Sequence, residues 1–149
     1  MLFRSDIITA SGGNNIVYGG GGDDIITVAG GNNIVYGSND ILLGYGERDT
    51  LVGGGVGSTN NFVLGTEIGS YYVGNGSDDF VTVSGFRGGS DVIQLAGFDT
   101  DYVTSFAGGV TSVFYVSPTG LDLIAKINST SLLDLNGGSF VYINTNRGD

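Results

Sequence analysis

Residues 6–19, DIITASGGNNIVYG, return almost unchanged as residues 24–37, DIITVAGGNNIVYG. Twelve of the fourteen positions are identical, at an offset of 18 residues. Each copy holds two β-favouring triplets, IIT and IVY, and the glycine-rich stretch between them is too short for a helix. A fixed period of this kind predicts a solenoid in which each copy is one coil of short strands and tight corners.

The period divides into halves of about nine residues, each opened by an acidic or amide residue: Asp6, Asn15, Asp24, Asn33, Asp40 and Asp49. Stacking of the coils predicts a column of aspartates, a column of asparagines and a stack of Tyr18 on Tyr36. Stacked strands lie about 4.8 Å apart, so neighbouring carboxylates repel each other unless a divalent cation lies between them. Amide ladders hydrogen-bond along a stack without an ion. The Asp column therefore predicts a metal site, and the Asn column does not.

Composition excludes several classes of function. The chain of 149 residues carries a formal net charge of −10 with only five Lys and Arg residues, so nucleic-acid binding is not expected. It has no Cys and no His, which excludes the usual zinc sites and thiol or histidine catalysis. Adjacent aspartates on a strand point to opposite faces, which does not suit a glycosidase pair. We therefore expect a protein that is not an enzyme, and we find no cleavable signal peptide or transmembrane stretch.

Residues 19–27, GGGGDDIIT, match the pattern Gly-Gly-x-Gly-x-Asp-x-apolar-x at every position. This resembles the RTX (haemolysin-type) calcium-binding repeat, whose nonapeptides form a parallel β-roll. The resemblance implies Ca²⁺ as cofactor, bound by loop carbonyls and by the sixth-position Asp of stacked turns. The implied metal-site residues are Gly19, Gly21, Asp23, Asp24, Gly37, Asn39, Asp40, Asp6 and Asp49. Plain turn chemistry is the other interpretation of these Asp and Gly residues.

A second resemblance covers residues 60–143 and rests on the run YYVGNGSDDFVTVSGFRGGSDVIQLAG at 71–97, followed by DY at 101–102. This stretch resembles the C-terminal region of cyanobacterial RTX proteins, where a β-rich cap follows the repeats. In that family the region carries an uncleaved type I secretion signal. The resemblance thus implies a bacterial protein that is extracellular or on the cell surface.

The cap residues alone predict short strands. The segments DFVTV, DVIQL, VTSVFYV, LDLIAKI and SFVYI are β-branched or aromatic and are separated by turn residues. We predict that they are antiparallel, with a weak helical tendency at DLIAK. The whole chain is then all-β: a parallel β-roll (β-solenoid) over residues 5–64 and a β-rich C-terminal cap over residues 65–149.

The resemblance also places the eighth position of each repeat inside the roll: Ile8, Val17, Ile26, Val35, Leu42 and Leu51. The flanking, outward positions are unusually apolar, and they include Ile7, Ile16, Tyr18, Ile25 and Ile41. Such a surface is either covered by residues 65–149 or contacts another chain. No capping segment precedes the first predicted strand, so we expect either that the chain is part of something longer or that its open end is a surface on which copies stack end to end.

Two functions follow from these patterns. The first is a secreted, non-enzymatic calcium-binding protein in which Ca²⁺ acts as a structural folding switch. The alternative is a homo-oligomeric extracellular or surface fibre whose subunits stack through the uncapped β-solenoid end.

Overall fold

The computed structural model describes residues 4–144, and its regular secondary structure is almost entirely β-strand. In chain order the strands are β1 (Ile7–Ser11), β2 (Ile16–Tyr18), β3 (Ile25–Ala29), β4 (Asn32–Tyr36), β5 (Arg48–Gly54), β6 (Thr59–Val63), β7 (Gly65–Thr66), β8 (Gly69–Ser70), β9 (Phe80–Ser84), β10 (Val92–Ala96), β11 (Tyr102–Ala107), β12 (Val110–Ser117), β13 (Gly120–Asn128) and β14 (Phe140–Ile143). One 3₁₀-helix, Asp99–Asp101, precedes β11, and residues 4–144 contain no α-helix. The all-β prediction is confirmed.

The strands form two main sheets and one small hairpin. The larger sheet has the order β1-β3-β5-β9-β13-β12-β11, and the smaller has the order β14-β10-β6-β4-β2. From β1 to β6 the chain alternates between these sheets, so each coil adds one strand to each. Neighbours from β1 to β13 in the larger sheet are parallel, as are all neighbours in the smaller one. Strands β11, β12 and β13 pair antiparallel, so the larger sheet is mixed.

The predicted 18-residue register is present in both sheets. Ile7 pairs with Ile25 in the larger sheet, and Ile16 pairs with Ile34 in the smaller one. The rings of Tyr18 and Tyr36 stack with their centroids 4.4 Å apart. The third coil keeps the parallel pairing at a longer offset, with Ile25 opposite Thr50, because the connection from β4 to β5 is longer.

One predicted triplet is wrong. The segment ILL at residues 41–43 lies in a run of turns, not in a strand, and Leu42 is half-buried there instead of fully buried as predicted. The side-chain oxygen of Asn39 accepts hydrogen bonds from the backbone N–H groups of Ile41 and Leu42. This local bonding competes with strand pairing, and Leu43 then takes a left-handed conformation with φ of 53°. The apolar triplet alone did not reveal that competition.

The antiparallel prediction for the cap is also wrong in part. Strand β9 (DFVTV in the prediction) lies parallel between β5 and β13, and β10 (DVIQL) lies parallel between β6 and β14 (SFVYI). The segments VTSVFYV and LDLIAKI do pair antiparallel, and DLIAK is part of β13 and not helical. Alternation along a strand is the same for both pairing directions, so the sequence pattern could not distinguish them. The boundary at residue 65 stays a prediction, and residues 145–149 lie outside the described part.

The interior between the two sheets is apolar, as predicted. Val17, Ile26, Val35 and Leu51 are buried there, and Ile8 packs against them half-buried. The second half of the chain contributes further to the same core, including Phe62, Tyr72, Ile93 and Ile124. Among the outward residues, Ile7 is 82% exposed and Ile16 is 64% exposed, so residues 65–144 do not cover them.

The corners of the coils form two opposite edges. One edge, which we call the Asn edge, contains Asn15, Asn33 and Asn60 in register. The Asn15 backbone N–H and side-chain amide donate to the Asn33 side-chain oxygen at 3.2 and 2.9 Å, and the Asn33 amide donates to the Asn60 oxygen at 2.9 Å. Asn60 in turn donates to Asp91 through both its backbone and its side chain. The predicted amide ladder is therefore present and ends on a carboxylate.

Substitution of Asn33 tests how much this ladder stabilises the fold. Asn33 is 2% exposed and joins the coils above and below it. We expect Asn33→Ala to lower the free energy of unfolding in urea by about 1–3 kcal/mol, because buried partners lose their hydrogen bonds. Asn136→Ala, at an exposed position, is the matched control. Equal urea midpoints for the two variants would show that the ladder does not stabilise the fold.

Candidate metal site

The opposite edge, which we call the Asp edge, carries the predicted column of aspartates. The Asp6 backbone N–H donates to Asp24 Oδ1 at 2.7 Å, and the Asp24 N–H donates to Asp49 Oδ1 at 2.8 Å. Asp24 and Asp49 are 0% and 1% exposed. One oxygen of each carboxylate is thus bonded to the backbone of the preceding coil, and this bonding orients the second oxygen of each.

The second oxygen of Asp24 is the feature that a cation would use. Asp24 Oδ2 is buried and has no hydrogen-bond partner. It lies against Gly19, where an added Cβ would overlap both this oxygen and the carbonyl oxygen of Gly37. The loop Gly19–Asp24 can approach so closely because glycine lacks a side chain. We call this arrangement of Gly19, Asp24 and the Gly37 carbonyl the first level of the Asp edge.

The second level consists of Gly37 and Asp49, and it differs from the first. The Tyr72 hydroxyl donates to Asp49 Oδ2 at 2.5 Å, and Tyr72 is fully buried. Tyr72 comes from the segment between β8 and β9, whose sequence has no metal-site pattern at this position. Sequence reasoning therefore did not find it.

Two further buried acids lie along this edge and were not predicted as site residues. Glu47 Oε1 accepts from the Gly22 N–H, and Asp79 Oδ2 accepts from the Gly46 N–H, whereas Glu47 Oε2 and Asp79 Oδ1 are buried without a partner. A signal existed for both. Glu47 stands where the nonapeptide expects Gly, and Asp79 ends GNGSDD, which resembles the repeat.

Burial governs the protonation of these acids. It raises the pKa of Asp24, Glu47 and Asp79 above their ordinary values, and neighbouring carboxylates add to the effect. For Asp49, burial raises the pKa to about 7, although hydrogen bonds from Tyr72 and the Asp24 backbone oppose the shift. The edge therefore favours either protons or a cation over bare carboxylates.

The other predicted ligands are dispersed. Asp23 is exposed, and its Oδ1 accepts from the Arg48 N–H. Asn39 bonds to its own turn, and Asp40 accepts hydrogen bonds from the hydroxyls of Thr66 and Tyr71, outside the strand register. Gly21 is half-buried in the first loop, and Asp6 joins the column through its backbone. Gly19, Asp24, Gly37 and Asp49 are the ones brought together.

The donor set can be compared with what Ca²⁺ requires. Within residues 4–144, no three His, Cys, Asp or Glu side chains gather closely enough to hold a metal ion by themselves. Calcium accepts carboxylate oxygens together with backbone carbonyl oxygens. Asp24 Oδ2, which has no hydrogen-bond partner, lies beside the Gly37 carbonyl and fits such a mixed set. The first level therefore suits Ca²⁺ better than a metal ion whose protein ligands are all side chains.

Comparison with known proteins agrees with the repeat. Residues 3–35 and 36–55 match the family model of the RTX calcium-binding nonapeptide repeat, in four copies. No curated protein matches the chain. Residues 3–55 therefore carry RTX calcium-binding repeats, and the first and second levels of the Asp edge lie within them. Residues 4–144 contain no helix long and apolar enough to cross a membrane.

The raised pKa of Asp49 predicts a pH dependence of stability. Its pKa is 3.8 in an ordinary setting and about 7 in the fold, so its contribution to stability is complete below pH 3.8 and is lost as pH rises through 7. In chelator, we expect the free energy of unfolding to fall between about pH 4 and about pH 8, with a slope of up to about 1.4 kcal/mol per pH unit from this group. Asp49→Asn is expected to reduce the slope.

Urea unfolding at a series of pH values measures this slope. Asp78→Asn is the control, since the Asp78 side chain is 77% exposed. The interpretation is wrong if Asp49→Asn and the wild-type chain have the same slope.

Proposed function

We propose that this chain is a secreted, non-enzymatic calcium-binding structural protein whose parallel strands form a β-roll that Ca²⁺ completes along the Asp edge. The observation that carries the proposal is Asp24 Oδ2, a fully buried carboxylate oxygen without a hydrogen-bond partner. It lies in the nonapeptide that matches the calcium-binding repeat. An isolated buried carboxylate is costly unless a cation or proton offsets its charge.

The residues of the first level have separate roles in this proposal. Asp24 supplies the charged oxygen, and the Gly37 carbonyl, which already accepts the Gly20 N–H at 3.1 Å, supplies a second oxygen. Gly19 keeps the space between these oxygens free of side-chain atoms. The Asp6 N–H holds Asp24 Oδ1, so Oδ2 stays oriented toward Gly19. When bound, calcium would neutralise Asp24 and join two successive coils.

The two edges explain why calcium would act as a switch. The Asn edge is joined by amides that need no ion, whereas the Asp edge buries carboxylates whose protonated forms are favoured. At neutral pH and low calcium the Asp edge is therefore the weaker one. Extracellular calcium-binding modules have dissociation constants of about 0.1–1 mM. Calcium would therefore bind to the Asp edge and stabilise it outside the cell.

Other considerations support a non-catalytic, exported protein. Asp23 is exposed while Asp24 is buried, so these adjacent carboxylates do not face one substrate. The resemblance of residues 60–143 to the C-terminal region of cyanobacterial RTX proteins supports type I secretion of a bacterial protein.

Calcium binding is tested on the full chain by isothermal titration, with thermal unfolding followed by circular dichroism. We expect Ca²⁺ to raise the unfolding temperature more than Mg²⁺ does, because Mg²⁺ demands a stricter geometry and keeps its water. Asp24→Asn is expected to abolish measurable Ca²⁺ binding at the first level, since affinity depends on ligand charge and Asp24 supplies the charged oxygen there.

Asp78→Asn removes the same charge from an exposed position and controls for net charge. The proposal fails if the chain binds no Ca²⁺. Equal affinities of the Asp24→Asn and Asp78→Asn variants would also exclude the first level as the site.

A second candidate function is self-assembly into an extracellular or surface fibre. It is favoured by the outward apolar side chains of the first strands, where Ile7, Ile16 and Tyr18 are 82%, 64% and 56% exposed. Exposed apolar surface of this kind is typical of contacts between chains. The free face of the Tyr18–Tyr36 stack could also receive an aromatic ring.

Sedimentation velocity at increasing concentration, with Ca²⁺ and with chelator, tests this second function. We expect association that Ile16→Lys weakens and that Ile41→Lys leaves unchanged, because Ile41 is 87% exposed but belongs to a turn and not to a strand. A monomer at every concentration would eliminate the fibre.

A further inference from the structure

The first and second levels of the Asp edge have the same construction. An added Cβ at Gly19 would overlap Asp24 Oδ2 and touch Asp24 Cβ at 3.0 Å, and an added Cβ at Gly37 would lie 2.7 Å from Asp49 Oδ2 and 3.0 Å from Asp49 Cβ. In both levels the first carboxylate oxygen accepts the backbone N–H of the preceding coil. Asp49 is therefore placed and oriented as Asp24 is, one coil further along.

What faces the second oxygen differs between the levels. Besides Asp24, the neighbour of the Gly19 position in the first level is the Gly37 carbonyl oxygen, whereas besides Asp49 the neighbour of the Gly37 position in the second level is the Tyr72 hydroxyl. That hydroxyl donates to Asp49 Oδ2. An uncharged donor thus occupies the position that an oxygen-seeking cation would need.

The backbone holds Tyr72 firmly in this place. Its N–H donates to the Leu43 carbonyl at 2.7 Å, and the N–H of Tyr71 donates to the Leu64 carbonyl at 2.9 Å. Tyr72 has a left-handed backbone with φ of 60°, which a residue with a Cβ adopts only when its surroundings demand it. Its ring is fully buried in the core. The fold therefore fixes the position of the Tyr72 hydroxyl next to Asp49.

The register of the next strand also leaves Asp49 without a carboxylate partner. Asp49 pairs with Val81 of β9, so the column of aspartates ends there. Asp79 lies two residues before Val81, just ahead of β9, and one of its oxygens accepts the Gly46 N–H instead. No acidic ligand from the following coil reaches the second level within residues 4–144.

We propose that the Tyr72 hydroxyl replaces a calcium ion at the second level, so that the Asp column binds calcium at Asp24 and not at Asp49. Tyr72 thereby acts as a positioning residue that sets where the bound ion lies and how many ions the edge holds. This inference rests on the proposed function, since it assumes that the first level takes calcium.

Counting bound ions tests the inference. Equilibrium dialysis against saturating ⁴⁵Ca²⁺ gives the number of ions per chain for the wild-type protein, Asp24→Asn and Asp49→Asn. We expect Asp24→Asn to lose one ion and Asp49→Asn to lose none. If the wild-type chain binds no calcium, the proposed function fails, and this inference with it. If Asp49→Asn also loses an ion, only this inference is overturned.

A gain of binding gives the second measurement. Tyr72→Leu removes the hydroxyl and the outer ring, and Leu43 shows that leucine is accommodated in a left-handed conformation in this fold. We expect this variant to bind one ion more than the wild type, and Tyr72→Leu/Asp49→Asn to return to the wild-type number.

Far-UV circular dichroism establishes that each variant is folded. A folded Tyr72→Leu variant without the extra ion would overturn the inference. If Tyr72→Leu does not fold, the comparison of Asp24→Asn with Asp49→Asn still decides it.

Discussion

Each coil is attached to the next by a side-chain oxygen that accepts the backbone N–H of the equivalent residue in the preceding coil. Asp24 accepts from Asp6, Asp49 from Asp24, and Asn33 from Asn15. Asp91 does the same for Asn60 at the far end of the Asn edge. These bonds satisfy backbone groups at the corners, where the strand ladders stop, and buried backbone groups need such partners. The parallel stacking of short strands depends on this repeated bond.

The same bond has different consequences for an amide and for a carboxylate. After accepting with its oxygen, Asn33 still has donors, and it passes a hydrogen bond to Asn60. Asp24 has a second acceptor and no donor, so its remaining oxygen needs a hydrogen or a cation from elsewhere. An amide column is therefore self-sufficient, whereas an aspartate column creates a demand at every coil. A bound calcium ion would satisfy this second carboxylate oxygen.

The sequence predicted the parts of the fold that follow from exact repetition. The offset of 18 residues sufficed for the pairing of Ile7 with Ile25, for the amide ladder and for the stack of Tyr18 on Tyr36. Beyond the two near-identical repeats, the strand prediction from the sequence became unreliable. The ILL triplet resembled a strand, but Asn39 bonds to its own turn and leaves those residues outside the sheets.

The direction of β9 and β10 was missed for another reason. Strand periodicity carries no information on whether a neighbour is parallel, and the connections that return the chain to the same end are irregular. Of the candidate site, Asp24 and Gly19 were accessible from the nonapeptide. Tyr72 was not, because it reaches Asp49 through tertiary packing from 23 residues away.

The irregular loops are concentrated where the unsatisfied carboxylates are. The Asn edge joins β3 to β4 through residues 30–31, whereas the Asp edge joins β4 to β5 through residues 37–47 and β6 to β9 through residues 64–79. The second of these longer segments supplies a donor, the Tyr72 hydroxyl, to the second oxygen of Asp49. The segment from β2 to β3 is short and offers no donor to Asp24 Oδ2. Where the chain provides its own donor an ion is unnecessary, and where it does not, a cation has a physical reason to bind.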